Sequence, residues 1–305
     1  MTGLRLCVNL PTFGGFLGDD MATILAVARA CEASGVDEVT VSDHVVMGPD
    51  TSRYPFGRFP VGPEEPWLEP LTVLAAVAGA TRRVGLHTSI LVAPLRPAVV
   101  LAKQVASLDA VAGAGRLSLG VGTGWQEAEY AAAGVDFAAR GALLEETVAA
   151  CRALWTDLPA SYAGEHIRFG PTFCAPRPAR PGGVPVSFAG RLTARNRRRI
   201  VTLGDGWHPL AGADRPTVAA GVATLRADLA AAGRDPAALT VHHVIPPVRA
   251  AGGGPADPGA TFAELGASAE AGVTTVQVTT RAWARHPDEV PDRIAAVVAA
   301  FRAAA

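Results

Sequence analysis

Lysine is nearly absent from this chain. Lys103 is the only one, so the basic charge is almost wholly arginine. Charged residues of both signs together make up only 18% of the chain, and the formal net charge is −1, which leaves no field to draw nucleic acid or an anionic membrane. No apolar run reaches the ~18 residues that a membrane-spanning helix needs. The opening residues, Met1 to Gly15, lack a basic segment leading into a long apolar one and do not read as a signal peptide; the expectation is a cytoplasmic protein. Cysteine is scarce and scattered. Cys7, Cys31, Cys151 and Cys174 form no CxxC and have no histidine at zinc-ligand spacing, so they read as buried, reduced thiols. A GxSxG elbow, an HExxH helix and a Walker loop are also missing, and with them the usual signatures of a serine hydrolase, a zinc protease and a P-loop enzyme.

What is present is an apolar half, 49% of residues, sufficient for a large core. It is arranged as strand then helix, eight times. The patterns predict strands over 4–10, 36–42, 84–92, 116–121, 184–188, 205–209, 239–244 and 273–278. Helices are predicted over 21–33, 71–80, 97–112, 143–155, 193–203, 217–232, 258–271 and 287–304. Asp19 or Asp20 would cap the first helix and Gly35 would close it. Eight alternating units predict an α/β fold, a (β/α)8 TIM barrel. No linker divides residues 1–305, so a single domain is expected. Insertions are expected after strands 2 and 4 and before strand 5. The first spans 45–70 and is rich in proline, glycine and aromatics; the last spans 161–183, with room for a hairpin.

In such barrels the chemistry sits at the C-terminal ends of the strands. Strand 2 ends in Ser42-Asp43-His44, an acid beside a histidine that either moves a proton or contacts a ring, or simply caps a turn. The stretch from His87 to Pro97 reads as an apolar strand entering a helix that starts with proline. Strand 4 runs into Gly120-Val121-Gly122-Thr123-Gly124-Trp125. Glycines there permit close approach of a ligand to the backbone, and Trp125 can wall a planar ring; the spacing is not the dinucleotide GxGxxG. Strand 5 gives Ser187-Phe188-Ala189-Gly190-Arg191 ahead of a helix, a loop suited to phosphate through free N–H groups and the helix dipole, with Arg191 as an added fork. Arg195, Arg197, Arg198 and Arg199 read as a solvated helix face. Trp207 and His208 reach the same rim, and of His242 and His243, adjacent on one strand, at most one can face the barrel interior. Glu127 and Glu129 show no pairing readable from spacing.

Taken in order, these strand ends resemble the luciferase-like monooxygenase superfamily of flavin- and deazaflavin-dependent barrels. The likeness is carried by Ser42-Asp43-His44, Thr88-Ser89-Ile90-Leu91 before Pro94, Leu108-Asp109, Gly115-Arg116 and the run from Leu119 to Trp125. It continues through Glu129-Tyr130, Arg140-Gly141, Leu154-Trp155 and Gly204-Asp205-Gly206-Trp207, and is weak beyond 209. Gly124-Trp125 and Gly204-Asp205-Gly206-Trp207 look most like the branch that uses coenzyme F420, an 8-hydroxy-5-deazaflavin.

The resemblance implies an F420-dependent oxidoreductase that transfers a hydride between the deazaflavin and a small organic substrate; the alternative is an FMN-dependent monooxygenase. It implies Asp43 near the ring, His44 as the catalytic residue near its reactive carbon, and a cis Ser89–Ile90 peptide forming a bulge behind the ring. Gly122, Gly124 and Trp125 would also bind the cofactor, with phosphate on Ser187, Phe188, Ala189, Gly190 and Arg191. No metal, nucleic acid or membrane is expected, and a homodimer is left open. Two departures matter. Sugar-phosphate dehydrogenases of this branch carry Glu where Trp125 stands and hold the sugar phosphate with lysines that this chain lacks, which argues against glucose 6-phosphate. The branch also often has a second glycine at the place of Arg191.

Overall fold

The computed structural model describes residues 3–14, 16, 21–249 and 254–305. The strands are β1 (Arg5–Asn9), β2 (Glu38–Val41), β3 (Gly85–Val92), β4 (Leu117–Gly122), β5 (Ala160–Ala163), β6 (Arg168–Thr172), β7 (Val186–Ala189), β8 (Gly206–His208), β9 (Thr240–Val244) and β10 (Thr275–Thr279). The helices are α1 (Met21–Ser34), α2 (Pro70–Ala80), α3 (Ala98–Ala112), α4 (Glu127–Ala132), α5 (Arg140–Thr156), α6 (Ala194–Leu203), α7 (Arg215–Ala231), α8 (Pro258–Phe262), α9 (Leu265–Glu270) and α10 (Val290–Ala304). Among the described residues, eight strands close a parallel barrel in the order β1-β10-β9-β8-β7-β4-β3-β2, while β5 and β6 form a separate antiparallel pair. The expected (β/α)8 barrel is what the chain forms. Asp19 and Asp20, expected to cap α1, lie outside the described residues.

Helix starts follow local chemistry. Glu69 accepts from the Thr72 amide at 2.7 Å ahead of Pro70, and Asp214 accepts from the Thr217 amide at 2.9 Å ahead of α7; a carboxylate at the cap satisfies an otherwise orphaned N–H. Two helix expectations are corrected. The segment 258–271 is broken into α8 and α9, with Ala263 and Glu264 between them, and α4 occupies the stretch after β4 that carried no helical period.

Side-chain alternation along the strands puts two different chemistries on the two faces of the barrel wall. Leu6, Val8, Val39, Val41, Leu86, Leu119, Val186, Phe188, Trp207, Val241, Val276 and Val278 join the apolar core shared with the helices. The inward positions are polar. Ser118 meets His87 at 2.7 Å, His87 meets His208 at 2.8 Å, His242 meets Glu38 at 3.0 Å, and Ser187 meets Thr240 at 3.4 Å. Of the adjacent pair, His242 faces inward, while His243 is bound to the Ala213 carbonyl, as alternation requires. Small residues make room: a Cβ on Gly120 would collide with the Thr88 carbonyl and the His87 and His208 rings.

This interior makes the fold acid-labile. Burial alone would raise the Glu38 carboxyl, but the His87 and His242 imidazoles and Arg5 hold it well below the ordinary carboxylate range. Burial pushes His87 down to about 3 against the pull of Glu38, and burial with the neighbouring imidazoles pushes His208 well down. Both kinds of depression act in the same direction. Below about pH 6.5 the unfolded chain takes up protons that the folded histidines refuse, and below about pH 4.3 it protonates a glutamate that the fold keeps ionised. Stability is therefore complete near neutrality and falls as the pH drops. The melting midpoint followed by circular dichroism should decrease steadily from pH 7 to 4, with a shallower slope for His208→Gln; a midpoint flat across that range contradicts the assignment.

Candidate active site

A cleft of about 360 Å³ opens at the C-terminal ends of the strands. Of the residues singled out from the sequence, Asp43, His44, Ser89, Ile90, Gly122, Gly124, Trp125, Ala189 and Gly190 line it together. The long segment after β2 supplies Tyr54, Phe56, Phe59 and Trp67 to the same walls. Their rings interlock: Tyr54 lies 5.4 Å from Trp125, and Phe59 lies 5.5 Å from Trp125 and 6.1 Å from Trp67, spacings at which aromatic pairs attract.

His44 stands within this cage, edge-on to Trp67 at 4.7 Å and to Trp125 at 5.9 Å. Its Nδ1 meets Glu129 Oε2 at 3.1 Å, and Glu129 Oε1 accepts from the Val45 amide at 2.6 Å. Glu129 is fully buried on α4, 85 residues away in sequence. A carboxylate only accepts, so Nδ1 carries the hydrogen and Nε2 is left with the lone pair in the neutral ring. The group that orients His44 is thus Glu129 rather than its neighbour Asp43, and nothing local in the sequence marks that pairing.

Asp43 is committed elsewhere. Its Oδ2 accepts from the Val92 amide at 2.8 Å and from Arg96 Nη1 at 2.7 Å, and its Oδ1 accepts from Arg96 Nη2 at 3.0 Å. Arg96 continues to Glu69 at 2.9 Å, so one guanidinium ties the end of β2 to the end of β3 and the cap of α2. Burial would lower the Arg96 guanidinium, but hydrogen bonds and charge from Asp43 and Glu69 hold it above its ordinary range. Between these anchors the Ser89–Ile90 peptide is cis, and the β3–β4 register shifts between Thr88 and Leu91. The space in front of Gly122 is filled by Ile90 Cδ1, so this glycine serves the packing of the bulge itself. Gly124 has φ +63 and faces Val92, a conformation L-residues rarely adopt.

The loop expected to take phosphate divides. Ser187 lines a different cavity, at the N-terminal ends of the strands, and Phe188 is fully buried in the outer core, because β7 carries them below the rim. Gly190, with φ +113, and Arg191 instead line a trough of about 750 Å³ beside the cleft, with Thr193 and Arg197. Gly190 borders both spaces. Arg191 is exposed and its side chain has no partner among the described residues. Of the arginines that follow, Arg195, Arg197 and Arg198 do form a solvated face, ion-paired at the surface, and only the buried Arg199 departs from that reading. Arg197 forks onto Asp228 at 2.7 and 2.8 Å, and Arg195 and the buried Arg199 share Glu145 at 2.6 and 2.8 Å.

Among the described residues, three that line the cleft carry fully buried polar atoms without a protein partner: Ser42 Oγ, Trp125 Nε1 and Gln277 Oε1. Buried polar atoms are almost always satisfied, and these offer a hydroxyl, a donor and an acceptor around one apolar space. Gln277, in β10, carries no signal in the sequence. Removing Arg96 should collapse this wall. Arg96→Met strands a buried carboxylate, which typically destabilises by about 3–5 kcal/mol. The double substitution Arg96→Met with Asp43→Asn should recover part of that loss in urea unfolding, and equal losses in the two proteins would contradict the clamp.

The sequence profile of the luciferase-like monooxygenase family matches residues 8–300. An uncharacterized protein of Mycobacterium tuberculosis is 33% identical over 196 residues, covering 63% of this chain and 69% of that one. The F420-dependent glucose-6-phosphate dehydrogenase of Gordonia bronchialis is 33% identical over 194 residues, 62% of this chain and 52% of that one. In structure the chain is similar to the monooxygenase RslO1 of Streptomyces bottropensis, with TM-score 0.80 and 20% identity over 98% of this chain and 99% of that one. With the profile matched from the first barrel strand into the last helix, this chain belongs to the luciferase-like monooxygenase family.

Proposed function

We propose that this protein is an F420-dependent oxidoreductase acting on a small, largely apolar organic substrate, with His44 as its proton-transfer residue. The observation that carries the reading is the set of three unpaired buried atoms, on Ser42, Trp125 and Gln277, around one aromatic-walled cleft beside the His44–Glu129 pair. A flavin-type ring has apolar faces and an edge of carbonyl and N–H groups, which fits walls of that kind. Ser89, Ile90, Gly122, Gly124, Trp125, Ala189 and Gly190 would hold the ring, and Arg191 on the adjoining trough would meet a phosphate. When bound, the deazaflavin supplies a two-electron hydride donor or acceptor.

The chain's own part is proton handling and exclusion of water. Nε2 of His44 is the free ring nitrogen; it can take a proton from a substrate hydroxyl, and the buried Glu129 carboxylate on Nδ1 stabilises the imidazolium that results. Tyr54, Phe56, Phe59 and Trp67 cover the same space, which keeps the transfer out of bulk water. The walls favour an apolar substrate over a sugar phosphate: the single lysine is bound to the Ala175 carbonyl, and Lys103 does not line the cleft.

The reading of an FMN-dependent monooxygenase is kept for the likeness to RslO1, and titration decides between the two. Fluorescence should show binding of oxidised F420 at about micromolar or tighter and much weaker binding of FMN. Stoichiometric FMN with no F420 binding overturns the proposal. His44→Ala should slow turnover by about 10²–10⁴-fold and leave F420 affinity within a few-fold. Glu129→Gln should also slow turnover and alter its pH profile, since it removes the carboxylate charge facing Nδ1 while keeping a hydrogen-bonding group. Turnover unchanged in both variants removes His44 from the mechanism.

A further inference from the structure

The barrel interior holds reactive groups that the chemistry above does not use. The Nε2 atoms of His87 on β3 and His208 on β8 are 2.8 Å apart, with ring centroids 5.0 Å apart and planes inclined by 9°. The two imidazoles therefore meet edge to edge in nearly one plane, the N–H of one directed at the lone pair of the other. On its far side, His87 Nδ1 meets Ser118 Oγ at 2.7 Å. Ser118 lines a cavity of about 220 Å³ at the N-terminal ends of the strands, whereas His208 lines the cleft at the opposite end. Nδ1 of His208 has no partner among the described residues and, in contrast to Nδ1 of His242, is not fully enclosed.

The geometry points to a proton wire through the barrel, from the cavity at the N-terminal face by way of Ser118, His87 and His208 to the cleft. It rests on the reading of the cleft as the reaction site. In the delivering direction, His208 gives its Nδ1 proton to an acceptor in the cleft and takes one at Nε2 from His87. His87 takes one at Nδ1 from the Ser118 hydroxyl, and Ser118 takes one from water in the cavity, whose hydroxide is reprotonated from bulk solvent, so one proton crosses and the three side chains end neutral. The transfer leaves both rings in the opposite tautomer, set to carry a proton the other way. That alternation suits a redox cycle whose two half-reactions release and consume a proton in turn.

The surroundings favour such a relay over a metal centre. His87, His208 and His242 place ligand nitrogens within 4.8 Å of one another, but His242 lies parallel to the other two rings, inclined by 4° and 5° at 4.4 and 4.5 Å. A ligand lone pair lies in the plane of its ring, so three parallel rings do not converge on one ion. The charged and titratable groups facing the wire are His242 and Glu38, paired at 3.0 Å, with Arg5 at 3.6 Å from Glu38 and Cys7 beside it. Burial holds His87 and His208 neutral in their midst, so transfer proceeds by exchange of tautomers.

The test uses the full chain labelled with ¹⁵N-histidine, without cofactor, at pH 7. A coupling between the two Nε2 atoms across their shared proton is expected, and exchange of that proton with water should slow about tenfold or more in Ser118→Val. Ser118→Ala, which leaves room for a water molecule, should exchange near the wild-type rate and shows that the site still folds. Unchanged exchange in Ser118→Val, or no shared proton, overturns the wire. Zn²⁺ titration that shifts the ring signals of all three histidines would overturn it in favour of a metal site. With whichever of F420 or FMN binds, His87→Phe should raise the solvent isotope effect on turnover while cofactor affinity is unchanged; an unaltered isotope effect counts against the wire. Failure of both cofactors to bind would overturn the proposed function and leave the exchange measurement to decide the wire.

Discussion

A carboxylate, Glu38, stands inside a closed barrel with almost no contact with solvent, and the interior around it is organised by the need to answer that charge. An unpaired buried carboxylate is very costly, so β9 presents His242 to it and β1 presents Arg5. His242 then stacks on His87 and His208, which must find partners of their own, and Ser118 serves as one. The glycine opposite, Gly120, follows from the same requirement, because the space a methyl group would need is already taken by the His87 and His208 rings and the Thr88 carbonyl. The apolar effect holds the barrel to its helices from outside, while hydrogen-bond satisfaction fixes how its strands meet inside.

The C-terminal end of the barrel is built on a second ionic clamp. Arg96 gathers Asp43 and Glu69, and so locks the ends of β2 and β3 to the start of α2. That clamp fixes the rim on which His44 stands. Because Asp43 spends both oxygens on the Val92 amide and Arg96, orienting His44 falls to Glu129 on α4. The division of labour is physical: a carboxylate saturated by a guanidinium cannot also stabilise an imidazolium, and two carboxylates allow structure and proton handling to be tuned apart.

Much of this was legible in the chain. Alternation of apolar runs, with Gly35 and Pro70 as punctuation, marked the barrel and its eight units, since period and turn chemistry are local properties. Ser42-Asp43-His44, Ser89-Ile90 and Gly122-Thr123-Gly124-Trp125 pointed to one rim because all parallel strands end on the same side. The choice of partners was not legible. His44 lies 85 residues from Glu129, and His87 lies 121 from His208; no spacing rule links residues that meet only when the barrel closes.

The loop after β7 shows the boundary most clearly. As a string, Ser187 to Arg191 is a run of small residues ahead of a helix, and the sequence by itself determined that it would turn there. The tertiary structure decided that Ser187 faces the polar interior, Phe188 the apolar core, and only Gly190 and Arg191 the open trough. The same holds for His242 and His243. Alternation allowed at most one to be inside, and only the position of Glu38 on a strand three places away around the barrel settled which. Local pattern sets the period of burial because backbone geometry is local, while its phase and its partners depend on charges and volumes brought together from across the chain.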